Sequence, residues 1–282
     1  MIDYDARKDA AESYDAALKA IRLEKIKAGE INPIVREVTI GDCRLILGDC
    51  LDVMASFPPC FRVHATVTDP PYGVKLKAKV TKHNRITASR QYEDTPEHVL
   101  PMVLRAIELS LTIAQRTIVT PGTRLLQSYP SAASIGTIFA PNGAGCSPWG
   151  FSGNHPILYY GKCPYLAAGL GSRPDSFYSA HPGMHVTGEN GHDHPCPKPI
   201  AWMEWLVSRA SPFAGETILD PFMGSGTTLV ACAKLGRKGI GIEIDPGYFD
   251  IACERVRKAY EQPDFFIEQA KQPEPQQEDM GI

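Results

Sequence analysis

What the chain lacks narrows the field first. No stretch of its 282 residues approaches the roughly 20 consecutive apolar residues needed to cross a bilayer, which excludes a membrane-spanning helix. Residues 1–27 are charged throughout and contain no apolar core of a secretory leader, so a cytoplasmic location is expected. The eight cysteines follow no small-domain spacing. A disulfide scaffold is therefore excluded, and reduced thiols are expected. A large excess of either sign of charge is also absent, with 29 Lys and Arg against 32 Asp and Glu. A net charge of −3 argues against a protein that coats nucleic acid with its whole surface, but not against a local basic patch. No internal repeat is present. What remains, 43% hydrophobic and 22% charged residues, is ordinary for a globular core. The length suits one large α/β domain carrying a small insertion.

Residues 5–29 read as a helix closed by Gly29, with Tyr14, Leu18, Ile21 and Lys25 roughly on one face. We assign residues 1–33 to an N-terminal helical extension, laid against the main domain or used in a homodimer. Residues 34–261 form the main domain. Strands are expected at 34–40, 44–47, 63–68, 116–120, 135–140, 155–160, 217–219 and 238–244, with helices over 95–114, 199–210, 227–235 and from Pro246 to about Tyr260. Asp245 should cap the last helix, with Pro246 at its first position. Residues 262–282, rich in Pro, Gln and acid, predict a disordered tail.

Two motifs carry chemistry. Asp220-Pro221-Phe222-Met223-Gly224-Ser225-Gly226-Thr227-Thr228 lies between a strand and a helix. Glycines there let the backbone turn tightly and approach a ligand, and the helix N-terminus offers unpaired N–H groups to an anion. Glu243 ends the following strand at the separation, about 20 residues, at which an acid reaches ribose hydroxyls. The third glycine of a dinucleotide fingerprint is missing: Val230 stands three residues past Thr227. A nucleoside cofactor is thus expected, and a dinucleotide is not. The second motif, Asp69-Pro70-Pro71-Tyr72, follows a strand. Its two prolines remove two N–H donors and hold the chain extended. Carbonyl oxygens and the Asp69 carboxylate remain as acceptors, which suits a substrate NH₂. Tyr72 adds a flat face for a planar base.

Together these motifs resemble those of the DNA amino-methyltransferases. The catalytic motif precedes the cofactor motif, the order of the circularly permuted β class. Leu47-Gly48-Asp49-Cys50 also matches, and His194-Pro195-Cys196-Pro197-Lys198-Pro199 is similar to that class's His-Pro-x-Gln-Lys-Pro signature, with Pro197 where Gln is usual. The resemblance covers about residues 38–260. It implies a Rossmann-like seven-stranded α/β sheet, circularly permuted, with S-adenosyl-L-methionine as cofactor and double-stranded DNA as substrate. It further implies that Asp220 and Lys198 meet the methionine portion of the cofactor, and that Phe222, Gly224, Ser225, Gly226 and Thr227 line its pocket. Glu243 is implied on the ribose and Asp49 on the adenine amino group. Asp69 and the Pro70 carbonyl would hold the target amine and Tyr72 would stack on the base, which must be flipped out of the duplex. Asp at the first motif position favours adenine N6 over cytosine N4. A relative that binds DNA without catalysis is the competing class, and the completeness of both motifs speaks against it.

Two segments remain. Lys75, Lys77, Lys79, Lys82, Arg85 and Arg90 crowd residues 73–94, with no acid before Glu93. This basic loop leaves the catalytic motif directly and is expected to contact DNA phosphates. Residues 161–193, rich in Gly, Pro, Ser and His, are the candidate target-recognition segment. Within and just after it, His181, His185, His192, His194 and Cys196 match no standard zinc spacing, so no metal site is expected.

Overall fold

The structure is a computed structural model and describes residues 19–73, 95–141, 145–147, 149–179 and 198–261. Residues 19–27 are helical, and their Ile26 side chain is buried. Arg22 Nε reaches Asp52 at 2.8 Å, so this part of the N-terminal helix packs on the main domain. Strands β1 (Arg36–Ile40) and β2 (Cys43–Leu47) form an antiparallel hairpin. Helix α1 (Cys50–Ala55) follows, capped by Asp49, whose Oδ1 accepts the N–H groups of Leu51 and Asp52. Next come β3 (Ala65–Thr68), α2 (Pro96–Ile113) and β4 (Arg116–Val119). In α2, Val99, Val103, Ala106, Ile107 and Ser110 are buried at the three-to-four-residue spacing of one helix face.

Strand β5 (Ser134–Phe139) leads through the small hairpin β6 (Gly145–Ser147) and β7 (Gly150–Ser152) to β8 (Asn154–Gly161). Helix α3 (Pro164–Ala167), β9 (Phe177–Tyr178) and α4 (Ile200–Ala210) come next. The chain then forms β10 (Thr217–Asp220), α5 (Thr227–Lys234), β11 (Lys238–Glu243) and α6 (Pro246–Glu261). As the sequence predicts, Pro246 opens α6 and Asp245 caps it, its Oδ1 accepting from Gly247 and Tyr248 N–H.

The main sheet runs β1-β2-β11-β10-β3-β4-β8-β5-β9. The five strands from β2 to β4 are mutually parallel, and β8 is antiparallel to both β4 and β5. One sheet face packs against a core containing Trp202, Met203, Leu206, Leu229 and Phe249 of α4, α5 and α6. On the other face, Val53 and Met54 of α1, and Val99, Val103 and Ile107 of α2, pack against the strands. Helices on both faces explain why β3 is buried at every position.

The sheet has nine strands, against the seven that the resemblance implied and the eight read from the residues, β1 among them. The two strands beyond seven are its edges. β1 folds back on β2, and β9 adds to β5 in parallel, in register Ile138 with Phe177 and Phe139 with Tyr178. Two residues are too few to show an alternating pattern, so β9 was hidden inside the segment 161–193. Its approach to the sheet depends on Gly136: a Cβ there would lie 1.9 Å from the Asp175 carbonyl oxygen. The segment is tied down further by Tyr159 Oη donating to the Asp175 carbonyl at 2.7 Å and by Thr137 N–H donating to Ser176 Oγ at 3.1 Å. The tail 262–282, the basic loop cations and the cluster from His181 to Cys196 lie outside the described residues, as does the helix before residue 19.

Candidate active site

Strand order reverses at one point in the parallel region. From β10 the chain proceeds outward to β11, whereas β3 proceeds to β4 on the opposite side. Open α/β sheets bind ligands at such a switch point, outside the carboxyl ends of the strands. The two sequence motifs stand there side by side, Asp69 following β3 and Asp220 ending β10.

A buried hydrogen bond joins them. Thr68 Oγ1 donates to Asp220 Oδ1 at 2.7 Å. The same oxygen accepts Phe222 N–H at 3.1 Å, and Oδ2 accepts Thr228 Oγ1–H at 2.5 Å. Asp220 is 2% exposed, and burial pushes its carboxyl up to about 6 although these three donors pull the other way. It shapes the turn from inside. Gly226 closes that turn at φ +79°, where a side chain would be strained and its Cβ would lie 2.8 Å from Ala252 Cβ. Arg255 of α6 locks the turn from behind, its Nη1 donating to the Ser225 carbonyl at 2.6 Å, to Ser225 Oγ at 2.7 Å and to Thr227 Oγ1 at 3.0 Å.

Glu243, at the end of β11, faces the same turn. Oε2 accepts Gly224 N–H at 2.9 Å and Oε1 accepts Asp245 N–H at 2.8 Å. Burial raises its carboxyl to about 7, against the lowering effect of those two N–H groups. Each oxygen has two acceptor positions, so one N–H at each leaves capacity for hydroxyl donors. Asp49 likewise spends only Oδ1 on its helix cap. Acids at the ends of β2 and β11, set around a glycine turn, form a donor-seeking rim that fits a nucleoside.

At the catalytic motif, Asp69 Oδ1 accepts Thr120 Oγ1–H at 2.6 Å and also the Tyr72 hydroxyl. Lys198 Nζ lies 3.3 Å from Asp69 Oδ2 and 4.7 Å from the centre of the Tyr72 ring. Lys198 is 8% exposed, so its cation sits beside the acid and over the aromatic face in a largely dry setting. Burial, and then the Asp69 charge, drive the Tyr72 phenol well above its usual range. Behind them His155 is edge-on to Trp202 at 4.7 Å, and burial lowers its imidazole to about 4, the Lys198 charge acting in the same sense.

Asp69, Pro70, Pro71, Tyr72 and Lys198 thus gather on one side of the crevice. Asp49, Phe222, Gly224, Ser225, Gly226, Thr227 and Glu243 follow the carboxyl ends of β2, β10 and β11 on the other. The sequence reading missed Thr68, Thr120, Thr228, Arg255 and His155. A Thr immediately before the Asp of the catalytic motif was a visible signal. Arg255 and His155 gave none, being distant in sequence from both motifs.

The fold is an α/β architecture shared with solved methyltransferases. A family model described as DNA methylase matches residues 132–254. The type II methyltransferase M.HpaI of Haemophilus parainfluenzae is 39% identical over 88 residues, 31% of this chain and 28% of that protein, so this chain spans under a third of that relative's length in the match. YubD of Escherichia coli (strain K12) is 29% identical over 238 residues, 80% of this chain and 99% of that one. The solved M1.HpyAVI–SAM complex shares the fold, with a TM-score of 0.52 and 20% identity, over 76% of this chain and 98% of that one. The chain is thus similar, over part of its length, to DNA methylases, and it shares the fold of a solved methyltransferase.

Proposed function

We propose that the protein transfers a methyl group from S-adenosylmethionine to N6 of an adenine flipped out of duplex DNA. The observation that carries this reading is the 2.7 Å Thr68–Asp220 hydrogen bond, which couples the carboxyl ends of β3 and β10 and so sets an amine-accepting motif against a nucleoside-accepting turn. S-adenosylmethionine supplies an electrophilic methyl on a sulfonium. Glu243 accepts from the ribose hydroxyls and Asp49 from the adenine amino group, while the backbone of residues 224–227 shapes the remaining wall. Asp220 acts indirectly, by holding the turn.

Asp69 and the Pro70 carbonyl accept the two hydrogens of the target NH₂. This fixes the nitrogen lone pair toward the methyl and raises its nucleophilicity. As the N–C bond would form, the methyl's bond to sulfur would break and its electron pair stay on sulfur, leaving a neutral thioether; the nitrogen gains the positive charge, and the Asp69 carboxylate stabilises it and receives the departing proton. The Lys198 ammonium balances that carboxylate and orients Tyr72. The Tyr72 hydroxyl occupies Asp69 Oδ1 in the present structure. Substrate entry therefore exchanges this bond for the incoming amine and frees the ring to stack on the base. Adenine is favoured over cytosine by the acid at the first motif position. Radiolabelled methyl transfer to unmethylated DNA, followed by nucleoside analysis, tests the reading: N6-methyladenine is expected, N4-methylcytosine corrects the target base, and absence of labelled DNA rejects the activity.

A further inference from the structure

Buried threonines stand along the two neighbouring strands that lead to the catalytic motif. Thr66 and Thr68 belong to β3, Thr117 belongs to β4, and Thr120 follows β4 directly. Thr66 and Thr117 pair in register, and neither hydroxyl has a hydrogen-bond partner among the described residues. The hydroxyls of Thr68 and Thr120 each reach a carboxylate instead. Thr68 Oγ1 donates across to Asp220 Oδ1 at the end of β10, at 2.7 Å, and Thr120 Oγ1 donates across to Asp69 Oδ1 just past β3, at 2.6 Å. Each strand thus hands a hydroxyl to the acid at the carboxyl end of its neighbour. Burial alone does not give a threonine hydroxyl an acceptor in this sheet; the two that have one are those at the edge where the motifs stand.

The bond to Asp69 answers a need of the chemistry proposed above. A carboxylate turns easily about its last torsion, so its plane has to be fixed by donors. Oδ1 accepts from the Tyr72 hydroxyl and from Thr120 Oγ1, and the Lys198 ammonium lies 3.3 Å from Oδ2. These groups differ in permanence and in direction. Tyr72 gives up its bond when its ring stacks on a base. Lys198 carries a compact charge on a flexible stem, which attracts the carboxylate without setting its plane. Thr120 stays. It is 3% exposed, its N–H donates to the Thr68 carbonyl at 3.1 Å, and its β-branched side chain has few rotamers open to it. For its one hydroxyl proton the Thr68 carbonyl, at 3.4 Å, is the weaker acceptor.

We propose that Thr120 is a positioning residue for methyl transfer: its hydroxyl holds the Asp69 carboxylate in the plane that accepts the target amine, and this bond outlasts the exchange of Tyr72 for the base. The inference rests on the DNA-methylating function and adds to it a residue that acts through Asp69. It also gives the two motifs a common anchor. Thr68 accepts the Thr120 N–H with its carbonyl and reaches Asp220 with its hydroxyl, so the acid that holds the amine and the acid that holds the cofactor turn are set from one pair of neighbouring strand ends. A misplacement of about 1 Å at a reacting group can slow a reaction roughly 100-fold. The Thr120 hydroxyl therefore governs turnover and leaves the binding of cofactor and DNA almost untouched.

The test uses the full chain and measures kcat and KM for labelled methyl transfer to unmethylated DNA, S-adenosylmethionine affinity by calorimetry, and thermal unfolding. Thr120→Val keeps the shape of the side chain and removes the hydroxyl, whereas Thr120→Ser keeps the hydroxyl and removes the methyl. We expect Thr120→Val to lower kcat about 10- to 100-fold with KM and cofactor affinity within about threefold of wild type, and Thr120→Ser to return kcat to within about fivefold of wild type. A threonine needed only for packing gives the opposite order, with the valine variant nearer to wild type than the serine. Thr120→Ala supplies the same comparison where Thr120→Val does not fold, and the same loss of kcat is expected. A hydroxyl-free variant with kcat within a few-fold of wild type overturns the inference and leaves the proposed function intact. So does a serine variant no faster than the valine, or a valine variant whose loss lies wholly in cofactor affinity. A wild type that transfers no methyl group to DNA rejects the function, and the inference with it.

Discussion

The carboxyl of Glu243 makes cofactor affinity a function of pH with a definite sign. Burial raises it from 4.5 to about 7 in the free protein. On the proposed function ribose hydroxyls donate to it, so binding favours its ionised form and releases a proton whenever the free protein holds one. With a midpoint near 7, about a tenth of the molecules carry the carboxylate at pH 6 and about nine-tenths at pH 8, so S-adenosylmethionine affinity should rise close to tenfold across that interval. The stability of the free protein moves the other way. A group with a raised folded pKa holds its proton in the native state after the unfolded chain has lost it, so its contribution declines from pH 4.5 upward until about pH 7, by roughly 3 kcal/mol in total. Calorimetry from pH 6 to pH 8 reads the affinity directly. The cofactor's own amino group also titrates, so the decisive quantity is the difference between wild type and Glu243→Gln. The variant cannot ionise and should bind more weakly at pH 8 by about 1–3 kcal/mol, with the Glu243 part of the pH dependence gone. Wild type and variant curves that stay parallel from pH 6 to pH 8 would refute the role of Glu243.

Other perturbations separate the remaining parts. Thr68→Val removes the hydroxyl that reaches Asp220 and leaves a buried carboxyl with one donor fewer; unfolding in urea should show a loss of about 1–3 kcal/mol, and a stability equal to wild type would remove this bond from the account. Tyr72→Phe keeps a ring for stacking and vacates Asp69 Oδ1, so transfer rates should stay within a few-fold, whereas Tyr72→Ala should lose at least about tenfold through the missing base contact. Equal rates in these two variants would contradict stacking by Tyr72. Replacing Lys77, Lys79 and Lys82 by Ala should flatten the slope of log affinity against log salt by up to about 2–3 units if each meets a phosphate, for all DNA sequences alike; an unchanged slope removes the basic loop from the interface.

The elements that the sequence declared most clearly were those with local causes. Strand, glycine turn, helix and terminal acid from β10 to β11 each follow from residues within one short stretch, and so does the Asp245–Pro246 helix start. The position of Asp69 after a strand was equally plain. What could not be read were relations between distant residues. Arg255 acts on Ser225 and Thr227 from another helix, and Lys198 turned toward Asp69 and Tyr72 although the resemblance implied the cofactor. Asp220, expected at the cofactor, faces inward because Thr68 and Thr228 surround it with donors. Edge strand β1 was legible in residues 34–40, whereas β9 was not, because its pairing depends on a distant approach, that of Asp175 over Gly136.

The central claim is that Asp69 holds the amine that receives the methyl group while the cofactor is held elsewhere. Its most direct test measures two quantities on one variant, Asp69→Ala: labelled methyl transfer to unmethylated DNA, and S-adenosylmethionine affinity by calorimetry. The account predicts that transfer falls below detection while affinity stays within about twofold of wild type, a difference under roughly 0.5 kcal/mol. Transfer within a few-fold of wild type, or cofactor binding lost together with transfer in a folded variant, would contradict it.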